Sequence, residues 1–213
     1  MGIRNFFTRR DLIISSGNEA KIISGAKLVI CLLIKRLFRS KLYKRAFASR
    51  RGESVLLSII DDKRKLIPAL HELFQRDLLP ENFLIVGSSR RDPGTKSWTD
   101  SLGDYPEDFL QMLDYVSTDL DNPDTLQKLD YLKEYDTTYF LSVPPERYAN
   151  AIINLKEAGF LDDPDHSRVV IEKPFGHDYK SAGRLQSVVE RHLREKQVYR
   201  IDHYLGKDTV NNI

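Results

Sequence analysis

Residues 200–207, Arg-Ile-Asp-His-Tyr-Leu-Gly-Lys, hold most of the side chains that could do chemistry. His203 and Lys207 are four residues apart, so on a helical turn both would project from one face and could bind one phosphate group. Asp202 directly precedes them, and a carboxylate there could orient a partner imidazole, as in histidine-based proton transfer. The pattern predicts a phosphate site with a possible acid-base partner.

Two further motifs place cations directly after apolar segments. Arg90 and Arg91 follow a predicted strand, where a guanidinium can bind a 2′-phosphate and stack on adenine, which favours NADP over NAD. Lys173 precedes Pro174, and the turn that follows would direct its ammonium into a cleft. Taken alone, each motif is equally consistent with a solvated surface cation.

Other chemistries are excluded or disfavoured. Gly206 and Lys207 do not form a Walker loop, because the upstream glycine and the adjacent Ser or Thr are absent. A metal site is not expected, since no second histidine or cysteine pair lies at ligand spacing. Cys31 is the only cysteine of the chain, which rules out an internal disulfide and fits a reducing compartment.

The elements that must position these residues alternate between helix and strand from residue 63 onward. Amphipathic helices are predicted at 66–74, 106–112, after Asn122, at 149–155 and at 182–193. Apolar runs typical of buried parallel strands occupy 83–87, 115–116, 137–143, 168–171 and 198–201, and residues 88–103 form a polar loop. This order predicts an α/β fold: a Rossmann-like, doubly wound parallel sheet with ligands beyond the carboxyl ends of its strands.

Charge divides the chain into two unlike parts. The 213 residues have a net charge of +2, but residues 1–52 contain thirteen Lys or Arg and two acids, so the remaining residues carry a net charge of −9. An Arg-rich segment can be a targeting peptide or a nucleic-acid-binding arm, but no fold-specific signature accompanies it. We expect a non-conforming extension. The apolar run 28–34 is too short to span a bilayer.

Residues 200–207 and the motif Glu-Lys-Pro-Phe-Gly at 172–176 closely resemble the glucose-6-phosphate dehydrogenase family, whose substrate motif is identical to residues 200–207. The resemblance covers roughly 150 residues, from Lys63 to the end of the chain. It implies oxidation of C1 of glucose 6-phosphate to 6-phosphogluconolactone, with hydride transfer to NADP.

The resemblance also implies roles for single residues, which we list by ligand. The substrate ligands are His203, Tyr204, Lys207 and Lys173. The cofactor-binding residues are Arg90, Lys173, Asp119, Leu120 and Ser142. Lys173 lies between substrate and nicotinamide and counts as catalytic, as does Asp202, which orients the catalytic histidine. A dianionic substrate beside an anionic cofactor requires such convergent cations.

The sequence departs from the family at both ends. The family's glycine fingerprint would precede Lys63, but Ile59 and Ile60 stand there, and branched side chains would keep a pyrophosphate from the helix start. The family's catalytic histidine lies downstream of residue 207 and matches no position here. We therefore expect an incomplete sheet, little dehydrogenase activity, and three regions: an extension (1–60), an NADP-binding domain (61–200) and the start of an α+β domain (201–213).

Two alternatives remain open: a non-catalytic fragment that binds sugar phosphate or NADP, and a Gfo/Idh-type sugar dehydrogenase, which also carries a Glu-Lys-Pro lysine. The expected partner is a small-molecule substrate, glucose 6-phosphate, with neither nucleic acid nor membrane. A family-like homo-oligomer is not expected without the C-terminal domain. The expected location is cytoplasmic.

Overall fold

The structure is a computed structural model that describes residues 54–59, 66–80 and 82–201. Its strands form one six-stranded sheet in the order β3-β2-β1-β4-β5-β6, and every neighbouring pair is parallel. The strands are β1 (Ser54–Ile59), β2 (Phe83–Ser89), β3 (Leu113–Ser117), β4 (Asp136–Leu141), β5 (Ser167–Glu172) and β6 (Val198–Ile201).

Helices connect these strands on both faces of the sheet. The α-helices are α1 (Leu66–Phe74), α2 (Thr95–Asp100), α3 (Glu107–Leu110), α4 (Pro123–Leu126), α5 (Tyr148–Glu157) and α6 (Tyr179–His192). Shorter 3-10 segments occupy Gln127–Glu134, Pro145–Arg147 and Glu195–Gln197. Across the described ranges, no helix combines the length and apolarity needed to cross a membrane.

Side chains of the strands alternate between two hydrophobic cores, as the two-residue period of a strand requires. Tyr139 and Leu141 pack into one core with α4, α5 and α6, whereas Phe140 between them packs into the other core with α1, α2 and α3. Both faces of β4 are therefore buried, as in sheets covered on both sides, and its last three residues, Tyr139–Leu141, are apolar.

Helix starts follow the capping chemistry of the sequence. Asn122 accepts a hydrogen bond from the backbone N–H of Asp124 (3.2 Å), and Pro123 occupies the first position of α4. Asp178 accepts a bond from the N–H of Ser181 (2.7 Å) in a reciprocal capping box. This cap starts α6 at Tyr179, three residues before the predicted start.

The chain confirms the predicted Rossmann-like fold, with three differences in its elements. β1 lies at the centre of the sheet, although the sequence analysis placed residues 1–60 in an extension and predicted no strand there. α2, a helix of six residues, occupies part of the predicted polar loop and buries Trp98. After α4 the chain continues as a 3-10 helix. Of the predicted start of a second domain, 201–213, Ile201 instead ends β6, and residues 202–213 lie outside the described residues.

Gly87 and Trp98 make the closest packing contact on the β2 strand. A Cβ atom at Gly87 would lie 2.6 Å from the indole ring, closer than nonbonded carbon atoms approach. The ring is buried, with an exposed fraction of 4%, and it tilts against Tyr115 at 5.3 Å between centroids. The absence of a side chain at residue 87 therefore lets α2 pack directly on the sheet.

We expect Gly87→Ala to lower the free energy of unfolding by roughly 1–3 kcal/mol, because the added methyl overpacks the Trp98 site. Urea denaturation followed by circular dichroism measures the change. In a Trp98→Ala background the same substitution should cost much less. An equal cost in both backgrounds would show that the indole is not the cause.

Candidate functional site

The candidate site lies at the edge of the sheet where its strands end, at the point where the strand order reverses. The last residue of β1, Ile59, is in register with Ser88 on one side and with Leu141 on the other. The connection after β1 leads to helices on one face, and the connection after β4 leads to helices on the other. In such sheets the diverging connections leave a crevice in which ligands bind.

Hydroxyl groups fix the loop that carries Arg90 and Arg91. The Tyr115 hydroxyl donates to the carbonyl of Arg91 (2.9 Å) and accepts from Ser89, at 2.5 Å between oxygens. The Ser117 hydroxyl donates to the carbonyl of Arg90 (3.4 Å). Both arginines are exposed, and neither forms an ion pair with a described residue. The backbone of the loop is thus anchored while its two guanidinium groups face solvent.

A buried pair of hydroxyls supports the same loop from below. Ser88 and Thr118 are both buried, and their hydroxyl oxygens lie 2.6 Å apart. The N–H of Thr118 donates to the carbonyl of Ser89 (3.0 Å). Sequence reasoning missed Tyr115, Ser117 and Thr118, because their partners are 24 to 30 residues away and no local pattern marks them.

Asp119 and Leu120, the predicted cofactor residues after β3, are both engaged within the protein. The carboxylate of Asp119 lies 3.6 Å from the guanidinium of Arg147, which also pairs with Asp121. The side chain of Leu120 is buried in the core, and its carbonyl accepts a bond from Asn154 (2.5 Å). Leu120 can therefore contribute to a ligand only through its backbone.

Ser142 stands directly after β4, beside the switch point. Its hydroxyl oxygen is buried and has no hydrogen-bond partner among the described residues. Leaving a buried hydroxyl unsatisfied costs about 1–3 kcal/mol, so such groups in native proteins call for a ligand or a water. A cofactor that reaches the carboxyl end of β4 would provide that partner.

The backbone around Lys173 is held from two sides. The N–H of Lys173 donates to the carbonyl of Ile201 in β6 (3.0 Å), and the hydroxyl of Tyr148 in α5 donates to the carbonyl of Glu172 (3.1 Å). Burial, together with the charge of Glu172, raises the pKa of Tyr148 to about 12, so its hydroxyl remains a donor at neutral pH. Lys173 itself is exposed, and its bond to Pro174 is cis.

The residues of the predicted phosphate clamp, Asp202, His203, Tyr204 and Lys207, lie outside the described residues. The last described residue before them, Ile201, ends β6 at the same edge of the sheet. Arg200, the first residue of their motif, instead lies on β6 and donates to the side chain of Gln186 (3.1 Å).

The four histidines of the described ranges have other surroundings. His71 packs edge-on against Phe109 and Tyr105, and His166 bonds to Asp136 (2.5 Å) at the opposite edge of the sheet. His192 ends α6. The His177 ring lies 3.1 Å from Glu146, and both side chains are mostly exposed. In these ranges, no three His, Cys, Asp or Glu residues cluster to hold a metal ion.

Comparison with known proteins assigns the chain to a family. Residues 62–212 match the family model "Glucose-6-phosphate dehydrogenase, NAD binding domain". The chain is 37% identical over 179 residues to glucose-6-phosphate 1-dehydrogenase of Chlamydia pneumoniae, and 36% identical over 168 residues to that of Bacillus subtilis (strain 168). The alignments cover 70% and 71% of this chain but only 35% and 34% of the two relatives.

Solved structures agree with this assignment. A crystal structure of glucose-6-phosphate 1-dehydrogenase from Mycobacterium avium superimposes with a TM-score of 0.63 at 26% identity, over 71% of this chain and 37% of that one. A glucose-6-phosphate dehydrogenase in complex with its substrate glucose 6-phosphate gives 0.60 at 27% identity, over 75% and 38%. The chain thus spans about a third of the length of these relatives, and it belongs to the glucose-6-phosphate dehydrogenase family through that family's NAD-binding domain.

Proposed function

We propose that this chain forms the NADP-binding part of a dehydrogenase that oxidises glucose 6-phosphate at C1 to 6-phosphogluconolactone. The observation that carries the proposal is the reversal of strand order at β1 and β4, with Arg90 after β2, Ser142 after β4 and Lys173 after β5 at one sheet edge. The match to the NAD-binding domain of the family supports the same function.

Two residues support NADP as the cofactor. Arg90 is exposed on a loop whose backbone is fixed. Its guanidinium can therefore hold the adenosine 2′-phosphate with little loss of backbone conformational entropy. The unsatisfied hydroxyl of Ser142 needs a polar partner at the point where a dinucleotide crosses the sheet. The exposed guanidinium of Arg90 and the unsatisfied hydroxyl of Ser142 both fit NADP, which would supply the hydride acceptor when bound.

Lys173 would act between the two ligands. The bonds from Tyr148 and to Ile201 hold the backbone on either side of the peptide that carries it, which limits where its ammonium can reach. From that position a positive charge can bind a substrate hydroxyl and attract an anionic cofactor. We assign Lys173 the role of orienting the C1 hydroxyl toward the cofactor.

The substrate phosphate would be bound just beyond β6. His203 and Lys207 supply one imidazole and one ammonium, Tyr204 belongs to the same loop, and Asp202 would orient a general base. A dianionic phosphate requires at least two such donors to offset its loss of water.

A second candidate is a domain that binds these ligands without turning them over. The sequence has no glycine between Gly52 and Gly87, so the turn after β1 lacks the residue type that lets a pyrophosphate approach the backbone. His71 is held in an aromatic cluster, and His166 lies at the far edge of the sheet. Neither is therefore placed to act as a base. NADPH formation, followed by its absorbance with glucose 6-phosphate present, distinguishes the two candidates.

We expect Arg90→Gln to weaken NADP binding by about tenfold or more while changing NAD binding less than about twofold, because only NADP carries the 2′-phosphate. Calorimetric titration with both dinucleotides measures the two constants. Arg91→Gln is the matched control and should have a smaller effect on NADP. Equal losses for NADP and NAD would contradict the role given to Arg90.

We expect Lys207→Ala and His203→Gln each to weaken glucose 6-phosphate binding by about tenfold, since each removes one charged or polar phosphate ligand. Titration calorimetry on the full chain measures this, with glucose as a ligand that lacks the phosphate. Neither substitution should alter the NADP constant. If the wild-type chain binds glucose 6-phosphate no better than glucose, the phosphate site is wrong, whatever the NADP result.

A further inference from the structure

A groove runs between α5 and α6 on the outer surface of the domain, with a volume of about 970 Å³. Its floor is apolar and is formed by four side chains, two from α5 and two from α6. Leu185 belongs to the core, Ala149 and Val188 pack against that core, and Ile153 is partly exposed. Among the described residues, none of those assigned to the cofactor or substrate lines this groove.

One wall of the groove is positively charged. Lys180, Arg184 and Arg191 occupy positions i, i+4 and i+11 of α6, so they lie along one face over about 16 Å of helix. All three are exposed, and none forms an ion pair with a described residue. Glu146, the acidic residue at the mouth, is paired with His177. Arg184 lies close enough to the Asp178 carboxylate to help lower its pKa, but no carboxylate of the described residues forms an ion pair with any of the three cations.

Arg191 lies in the last turn of α6, where the helix dipole favours positive charge, but the positions of Lys180 and Arg184 are less favourable. Lys180 lies in the first turn of α6, where the helix dipole disfavours positive charge. Lys180 and Arg184 are like charges four residues apart, which also destabilises a helix. The cap residue Asp178 already accepts a hydrogen bond from the backbone N–H of Ser181. A role in binding would account for the Lys180–Arg184 pair, whose position and spacing the helix alone disfavours.

Gly183 adds an independent observation from the same wall. It lies within α6 between Lys180 and Arg184, although glycine is a poor residue for a helix interior. A Cβ atom there would have no described atom within 4 Å, so nothing in the fold requires the missing side chain. The glycine leaves the backbone of α6 open to close approach from outside.

We propose that this groove binds an acidic amphipathic helix of a partner protein. Apolar residues of that helix would lie on the floor, and carboxylates at i, i+4 and i+11 would meet Lys180, Arg184 and Arg191. The N-terminal segment of this chain is not the occupant, since residues 1–52 carry thirteen basic and two acidic residues. Nucleic acid fits less well, because His177 is the one aromatic ring among the described lining residues on which a base could stack.

The probe is a fluorescent peptide of about 15 residues, with glutamates at i, i+4 and i+11 and leucines on the adjoining face. We expect saturable binding to the full chain by fluorescence anisotropy, weakened by salt. Arg184→Glu should weaken binding by about tenfold or more, because it places like charges together. Lys96→Glu, an exposed lysine outside the groove, is the matched control and should have no effect.

Gly183→Gln separates binding from folding. Glutamine is a better helix former than glycine, so this variant should raise the melting temperature of the chain. Its side chain would project into the groove, and we expect peptide binding to weaken by about fivefold or more. A loss of binding together with a gain in stability cannot come from unfolding.

Three results would overturn the proposal. The first is equal binding of a scrambled peptide of the same composition, which would show that charge alone is recognised. The second is unchanged peptide binding by both Arg184→Glu and Gly183→Gln. The third is displacement of the peptide by single-stranded RNA at lower concentration than by unlabelled peptide. NADP and glucose 6-phosphate binding do not enter this test, so its outcome is independent of the proposed dehydrogenase function.

Discussion

The reversal of direction between β1 and β4 is the constraint on which the rest of this structure depends. Parallel strands cannot be joined by tight turns, so each connection must cross the sheet as a helix with right-handed sense. The connections between β1 and β3 place their helices on one face of the sheet. The connections between β4 and β6 place theirs on the other face. The crevice between these two sets of helices follows from the backbone hydrogen bonding of the sheet alone. The side chains that line the crevice then determine what it can bind.

Much of the fold could be predicted because β2, β4 and β5 are buried on both faces, and such strands are visible as apolar runs. β1 was missed although Val55, Leu56 and Leu57 form such a run. It directly follows a basic stretch and lacks the glycine turn that normally marks the first strand of this fold. α2 was missed because Trp98 is its one buried residue, too little for a helical period.

The site could be predicted only where its residues stand next to a strand end. Arg90, Ser142 and Lys173 occupy such positions, so the order of elements brings them to one edge without knowledge of side-chain packing. The bonds that hold their loops join Tyr115 to Arg91 and Tyr148 to Glu172, each pair 24 residues apart. Contacts of this range depend on the register between strands and on helix placement, which no local pattern encodes.

The anchoring of the loop after β2 has a consequence for how this family can diversify. Tyr115 and Ser117 hold that loop through backbone carbonyls, and a carbonyl is present whatever side chain the residue carries. A substitution at residue 90 would therefore leave both of these backbone bonds in place. The side chains at residues 90 and 91 could thus change in evolution without a compensating substitution at Tyr115 or Ser117.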